Sequence, residues 1–340
     1  MGTVKRMVKK GSLIGELGFI KGGGNINWFP GHMAAATRAI RDRLKQTDLV
    51  IEVRDARKWV RYFDSHKQDC LTINAHSKSS VKKLLDLVEY KLKEAISREP
   101  TLLVMVVGVP NVGKSALINS IHQIASSRFP VQGKNKRATV GPLPGVTQDI
   151  AGFKIAHQPS IYVMDTPGVL VPSISDIETG LKLAAAGSVK DSVVGEERIA
   201  QYLLAVLNTR GTPLHWRRFM DKETEGLHLD SDDKPDYNLK NLFPNRRRPP
   251  TNKSDVHYIE DVVTQVQRAL CGTLTEFNGN LEDEGDLGNL IDQQFEALQK
   301  ALKIPHKASE ARTMVSKKFL TLFRIGKLGP FILDDVPDAK

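Results

Sequence analysis

Apolar positions along the 340 residues fall into two periods. Leu102–Val107 (L-L-V-M-V-V) is a short, almost wholly apolar run, the pattern of a strand buried on both faces of a parallel sheet. Leu49–Val53, Phe153–Ala156 and Ser160–Met164 read as further strands, and Leu71–Ile73 as a short one. Val81–Ile96 switches to helical spacing, with Val81, Leu84, Leu85, Val88 and Leu92 on one face. Ala34–Gln46 is amphipathic and sets Arg38, Arg41, Arg43 and Lys45 apart from its apolar side. A helix opens at Ala116. Helical patterns recur at Ile177–Ala186, Glu196–Asn208, Asp255–Leu270, Asn289–Leu302 and about Ser309–Phe323. Strands alternating with helices, then helices alone, predict a doubly wound α/β domain followed by a small helical one.

Composition adds a partner class. The chain carries 49 Lys and Arg against 39 Asp and Glu, a formal net charge of +10. Such an excess favours a polyanion, nucleic acid before membrane. Between Lys300 and Gly329 stand eight Lys or Arg and one acid, Glu310, interleaved with Phe319 and Phe323. That tract suits RNA binding; a solvated helix face would read the same. No apolar stretch is long enough to span a membrane. The two cysteines, Cys70 and Cys271, lie far apart and form neither a disulfide nor a metal pattern, which points to a reducing compartment. Residues 1–24 are basic and poor in acids, a weak transit-peptide signal.

The chemistry concentrates between strand and helix. Gly108–Ser115 reads G-V-P-N-V-G-K-S and fits Gly-x4-Gly-Lys-[Ser/Thr], a loop whose backbone N–H groups wrap a phosphate chain. A strand precedes it and a helix follows, so a helix N-terminus also faces the anion. Lys114 is expected on the outer phosphates and the Ser115 hydroxyl on Mg²⁺. About fifty residues on, Asp165-Thr166-Pro167-Gly168 closes a strand, with Gly145-Val146-Thr147 between. An aspartate there suits the metal's water, and the glycine a sensor of the γ-phosphate.

Trp28-Phe29-Pro30-Gly31-His32-Met33, Asp55-Ala56-Arg57, the asparagine-containing phosphate loop and Asp165–Leu170 together carry a resemblance. The chain resembles the circularly permuted, DAR-motif ribosome-assembly GTPases, in particular the branch of mitochondrial ribosome-associated GTPases with its plant members. The resemblance covers 25–208 well and the tract from about 300 more loosely. It implies a circularly permuted P-loop GTPase domain at 25–208, in which the guanine-binding motifs precede the phosphate loop. A basic segment (1–24) stands before it; a polar linker or insertion (209–256) and a basic helical domain (257–340) follow.

The same resemblance assigns roles. Asn111, Val112, Gly113, Lys114, Ser115 and Ala116 hold the phosphates, and Thr147 completes the Mg²⁺ shell with Ser115 and Asp165. Asp165 and Gly168 respond to the γ-phosphate. Asn74 and Ala75, in Asn74-Ala75-His76, back the guanine base. Val169 and Leu170 stand where Ras-like enzymes keep a water-orienting glutamine, and an apolar side chain cannot orient water. Relatives hold a K⁺ ion through the asparagine that maps to Asn111. His32, which spacing alone would make a cap or surface residue, maps to a proposed catalytic histidine. The implied function is GTP hydrolysis in assembly of the mitochondrial large ribosomal subunit, with chloroplast or cytoplasm as alternative compartments. The implied partners are GTP or GDP, large-subunit rRNA and proteins, and the inner mitochondrial membrane peripherally.

One departure is large. The family carries an Asn-Lys-x-Asp motif on a strand between DAR and Asn-Ala-His, and its aspartate reads guanine. Here sixteen residues separate Arg57 from Asn74, and none supplies it. The expected sheet is therefore short of one strand. Asn252-Lys253-Ser254-Asp255 spells the motif but follows Arg-Pro-Pro rather than an apolar strand. The rival reading is an RNA-binding protein with a vestigial nucleotide domain.

Overall fold

The computed structural model describes residues 26–27, 31–54, 59–128, 138, 147, 149–157, 160–170, 173–174, 176–210, 253–305, 310–329, 331 and 333. They fall into two compact units: Asn27–Ile174 with Ala186–Lys190, and Ser175–Ala185 with Asp191–Leu333.

The first unit is α/β. Its elements are α1 (Gly31–Leu44), β1 (Leu49–Glu52), α2 (Trp59–Ser65), α3 (Lys78–Ile96), β2 (Thr101–Val107), α4 (Lys114–Arg128), β3 (Ala151–His157) and β4 (Ser160–Asp165). The sheet order is β1-β2-β4-β3. β1, β2 and β4 are parallel, and β3 runs antiparallel to β4 with an irregular register between Lys154 and Ala156. Side chains alternate across a strand. Leu102, Val104 and Val106 of β2 accordingly meet Val81, Leu84 and Val88 of α3 and Leu117, Ile118 and Ile121 of α4 in one buried cluster. The Ser77 hydroxyl accepts from Ser80 N and caps α3.

Leu71–Ile73, expected as a strand, is irregular. β1 is the sheet edge among the described residues, but this stretch and β1 line opposite sides of one cavity and do not pair. Ile73 packs instead against the buried cluster.

The second unit is helical: α5 (Ile177–Ala185), α6 (Asp191–Val194), α7 (Glu196–Arg210), α8 (Lys253–Glu276), α9 (Glu284–Ala301) and α10 (Ala311–Arg324). α7 is buried nearly all round from Ile199 to Leu207, as a central helix must be. It packs against α5, α9 and α10. Asn208 and Gln294 exchange two hydrogen bonds of 2.9 Å in this interior. Arg324 donates to Asp191 and to the carbonyls of Ala184 and Ala185, tying α10 to the ends of α5 and α6. The expected boundary near 208 falls inside this unit, because the apolar surface of α7 needs α9 and α10 to cover it.

Candidate phosphate site

The turn after β2 is built on backbone that most residues avoid. Gly108 has φ 148°, and a Cβ there would lie 2.5 Å from the Val53 carbonyl oxygen. The end of β1 thus presses on the loop, and only glycine fits. Asn111 follows with φ 63° and Gly113 with φ 92°. α4 then starts at Lys114. Its free N–H groups and dipole make that end attractive to an anion.

The Lys114 ammonium donates to the carbonyls of Gly108 (3.0 Å) and Val109 (2.8 Å), closing the loop on itself. Its residue is buried. Burial lowers its pKa to about 8, against a smaller upward pull from the Asp165 carboxylate.

Three oxygen-bearing side chains converge beside it. The Ser115 hydroxyl donates to Asp165 Oδ2 at 2.7 Å and lies 3.3 Å from Thr147 Oγ1. Asp165 Oδ1 is buried and has no hydrogen-bond partner. Burial raises the Asp165 pKa, opposed by the Ser115 hydroxyl, the Lys114 charge and the Thr166 N–H. An orphaned carboxylate oxygen among hydroxyls suits a small hard cation, which binds through one or two carboxylates, hydroxyls and the substrate's own phosphates. Ser115, Thr147 and Asp165 fit Mg²⁺ on that ground.

Gly168 locks this corner to the loop. A Cβ on it would lie 2.5 Å from the Pro110 N and Cα. Thr166 Oγ1 donates to the Val106 carbonyl at 2.7 Å, holding the strand ends in line.

A second support was not expected from sequence. Ala186–Lys190 belongs to the sheet unit although helices of the other unit flank it. Asn111 Nδ2 donates to the Gly187 carbonyl, and Ser188 Oγ donates to the Pro110 carbonyl at 2.8 Å. The one local signal was Gly187, with φ 75°, closing a helix. Asn119 similarly clasps Ala138, its amide bonding both the Ala138 carbonyl and N–H.

Asn74-Ala75-His76 forms its own turn, with Asn74 Oδ1 accepting from His76 N and Asn74 N donating to Ser80 Oγ. Ala75 packs on the sheet's buried cluster. His32 lies in the first turn of α1; its side chain, Trp28-Phe29-Pro30 and Asp55-Ala56-Arg57 are outside the described residues, as is Asn252. Val112, Gly113 and Ala116 sit in the loop and first turn. No helix among the described residues is long and apolar enough to cross a membrane.

The family profile described as 50S ribosome-binding GTPase matches residues 103–234, from β2 onward. Short integuments 2, mitochondrial, of Arabidopsis thaliana is 67% identical over 99% of this chain and 96% of its own length. DAR GTPase 2, mitochondrial, of the same plant is 36% identical over 92% and 91%. The chain belongs to the mitochondrial DAR GTPase family. Mouse mitochondrial ribosome-associated GTPase 1 is 35% identical over 54% of this chain and 67% of its own length. Ribosome biogenesis GTPase A of Bacillus cereus is 30% identical over 53% and 70%. Membership makes the chain a GTPase by kind and bears out the mitochondrial compartment, which the three eukaryotic names share. As a DAR GTPase it is also short inside: the alignment with Short integuments 2 runs over 372 positions, against 340 residues here, so at least 32 positions have no residue in this chain.

Proposed function

We propose that the protein binds and hydrolyses GTP in assembly of the mitochondrial large ribosomal subunit, through a circularly permuted nucleotide domain. The observation that carries this is the convergence of Lys114, Ser115, Thr147 and Asp165 on one glycine loop. The loop N–H groups and Lys114 grip the phosphates. Ser115 and Thr147, with Asp165 behind them, would hold Mg²⁺, which when bound would neutralise phosphate charge. Thr147 and Asp165 are ordered by the triphosphate and released after hydrolysis. Gly168, touching Pro110, carries the γ-phosphate state into the following loop.

Permutation is supported by order in the sheet. β1 lies beside β2 yet precedes it in the chain, as does Asn74-Ala75, to which we assign the guanine side of the pocket. Asn111 is the proposed K⁺ ligand; an ion there would do the work of an arginine finger, since Val169 and Leu170 offer no polar group. His32 is the proposed catalytic histidine. The basic tract around α10 would bind large-subunit rRNA, with peripheral contact to the inner membrane.

The rival, a vestigial nucleotide domain on an RNA-binding protein, is favoured by the absence of Asn-Lys-x-Asp between Arg57 and Asn74. Losing those paired bonds would cost discrimination against adenine by orders of magnitude. Equilibrium titration with labelled GTP, GDP and ATP in Mg²⁺ separates the two. Tight guanine-selective binding, with turnover raised by purified large ribosomal subunits, supports GTPase function. No response of turnover to subunits, with or without K⁺, sinks the assembly role.

A further inference from the structure

We propose that the open edge of β1 is an acceptor site for an extended peptide strand supplied by another molecule. β1 has a sheet neighbour on one side only among the described residues. Along its other side lies a cavity of about 680 Å³. β1 forms one wall, Leu84 and Val88 of α3 the floor, and the irregular stretch through Leu71 and Ile73 the far wall. The cavity runs beside all four residues of Leu49–Glu52.

The walls also specify the occupant. Leu49 and Ile51 are half-buried towards the apolar cluster, whereas Val50 and Glu52 are exposed. A strand laid alongside must alternate in the same way, apolar towards α3 and polar away from it. The space is walled on both sides, so its occupant needs two free edges. β1 of a second copy, already backed by β2, does not qualify. The alignment with Short integuments 2 has at least 32 positions with no residue in this chain. Main-chain pairing would supply affinity, and the alternating side chains specificity. Val50 at 42% and Leu71 at 36% exposure are apolar groups on a rim that also carries Glu52, Arg54, Lys67, Asp69 and Lys91.

The test uses the full chain and a synthetic peptide copied from the stretch of Short integuments 2 that has no counterpart here, with a scrambled peptide as control. Amide hydrogen exchange and fluorescence titration are the readouts. The expected result is slowed exchange at 49–53 with the peptide alone, and binding at least tenfold weaker in Leu71→Arg, a half-exposed position. Exchange unchanged by the peptide, equal protection by the scrambled one, or full binding to Leu71→Arg would overturn the proposal. So would protection that grows with protein concentration in the absence of peptide, which assigns the edge to a second copy.

Discussion

Raising the pH from 7 to 9 should weaken nucleotide binding about tenfold through one side chain. Lys114 is buried against the Gly108 and Val109 carbonyls, and burial brings its pKa to about 8 in the free protein. A triphosphate replaces those carbonyls with anionic oxygens and restores the charged form, lifting the pKa back above its ordinary range. At pH 7 the free lysine is already mostly charged and binding needs no proton. At pH 9 only about one in ten is charged, so binding takes up a proton and loses about 1.4 kcal/mol. Stability of the free protein moves the other way. The folded value of about 8 lies below the 10.5 of an exposed lysine, so the unfolded chain binds more protons between those values and stability rises across that window. The assay is calorimetric titration with GTP and Mg²⁺ at pH 7, 8 and 9, each in two buffers of different ionisation enthalpy. A dissociation constant flat from pH 7 to 9, with no proton uptake, would show that Lys114 does not meet the phosphates.

Three further outcomes follow from contacts. Gly168→Ala should lower GTP affinity at least tenfold while leaving the fold intact by circular dichroism, because its Cβ would meet Pro110 backbone at 2.5 Å; unchanged affinity would break the link between that glycine and the loop. Asn208→Ala should cost about 1–3 kcal/mol in denaturant unfolding by leaving the Gln294 amide unsatisfied, and adding Gln294→Leu should recover part of it; strictly additive losses would argue against a coupled pair. His32→Ala should slow GTP hydrolysis and spare GTP binding, measured by single-turnover kinetics and equilibrium titration, whereas a parallel loss of both would make His32 structural.

What sequence could foretell depended on distance along the chain. Gly108–Ser115 was legible because strand, glycine turn and helix are contiguous and each has its own pattern. Asp165 and Gly168 were legible because the spacing from the loop is characteristic. Gly187 and Ser188 were not: they reach Asn111 and Pro110 from 76 and 78 residues away, and no local pattern encodes such a partner. The same holds for Asn208 and Gln294, 86 apart. Helical spacing foretold α7 but not its company, so the boundary expected at 208 falls within a helical unit. Leu71–Ile73 shows the opposite failure. Three apolar residues satisfy strand propensity, yet a strand needs a neighbour within hydrogen-bond reach, and a cavity separates this stretch from the β1 edge.

The central claim is that this glycine loop, with Lys114, Ser115, Thr147 and Asp165, holds a guanine nucleotide. The direct measurement is equilibrium binding of labelled GTP to the purified full-length chain in Mg²⁺, against Lys114→Ala under the same conditions. Saturable binding that the substitution abolishes is the predicted result; no nucleotide bound by the unaltered chain at any concentration would contradict it.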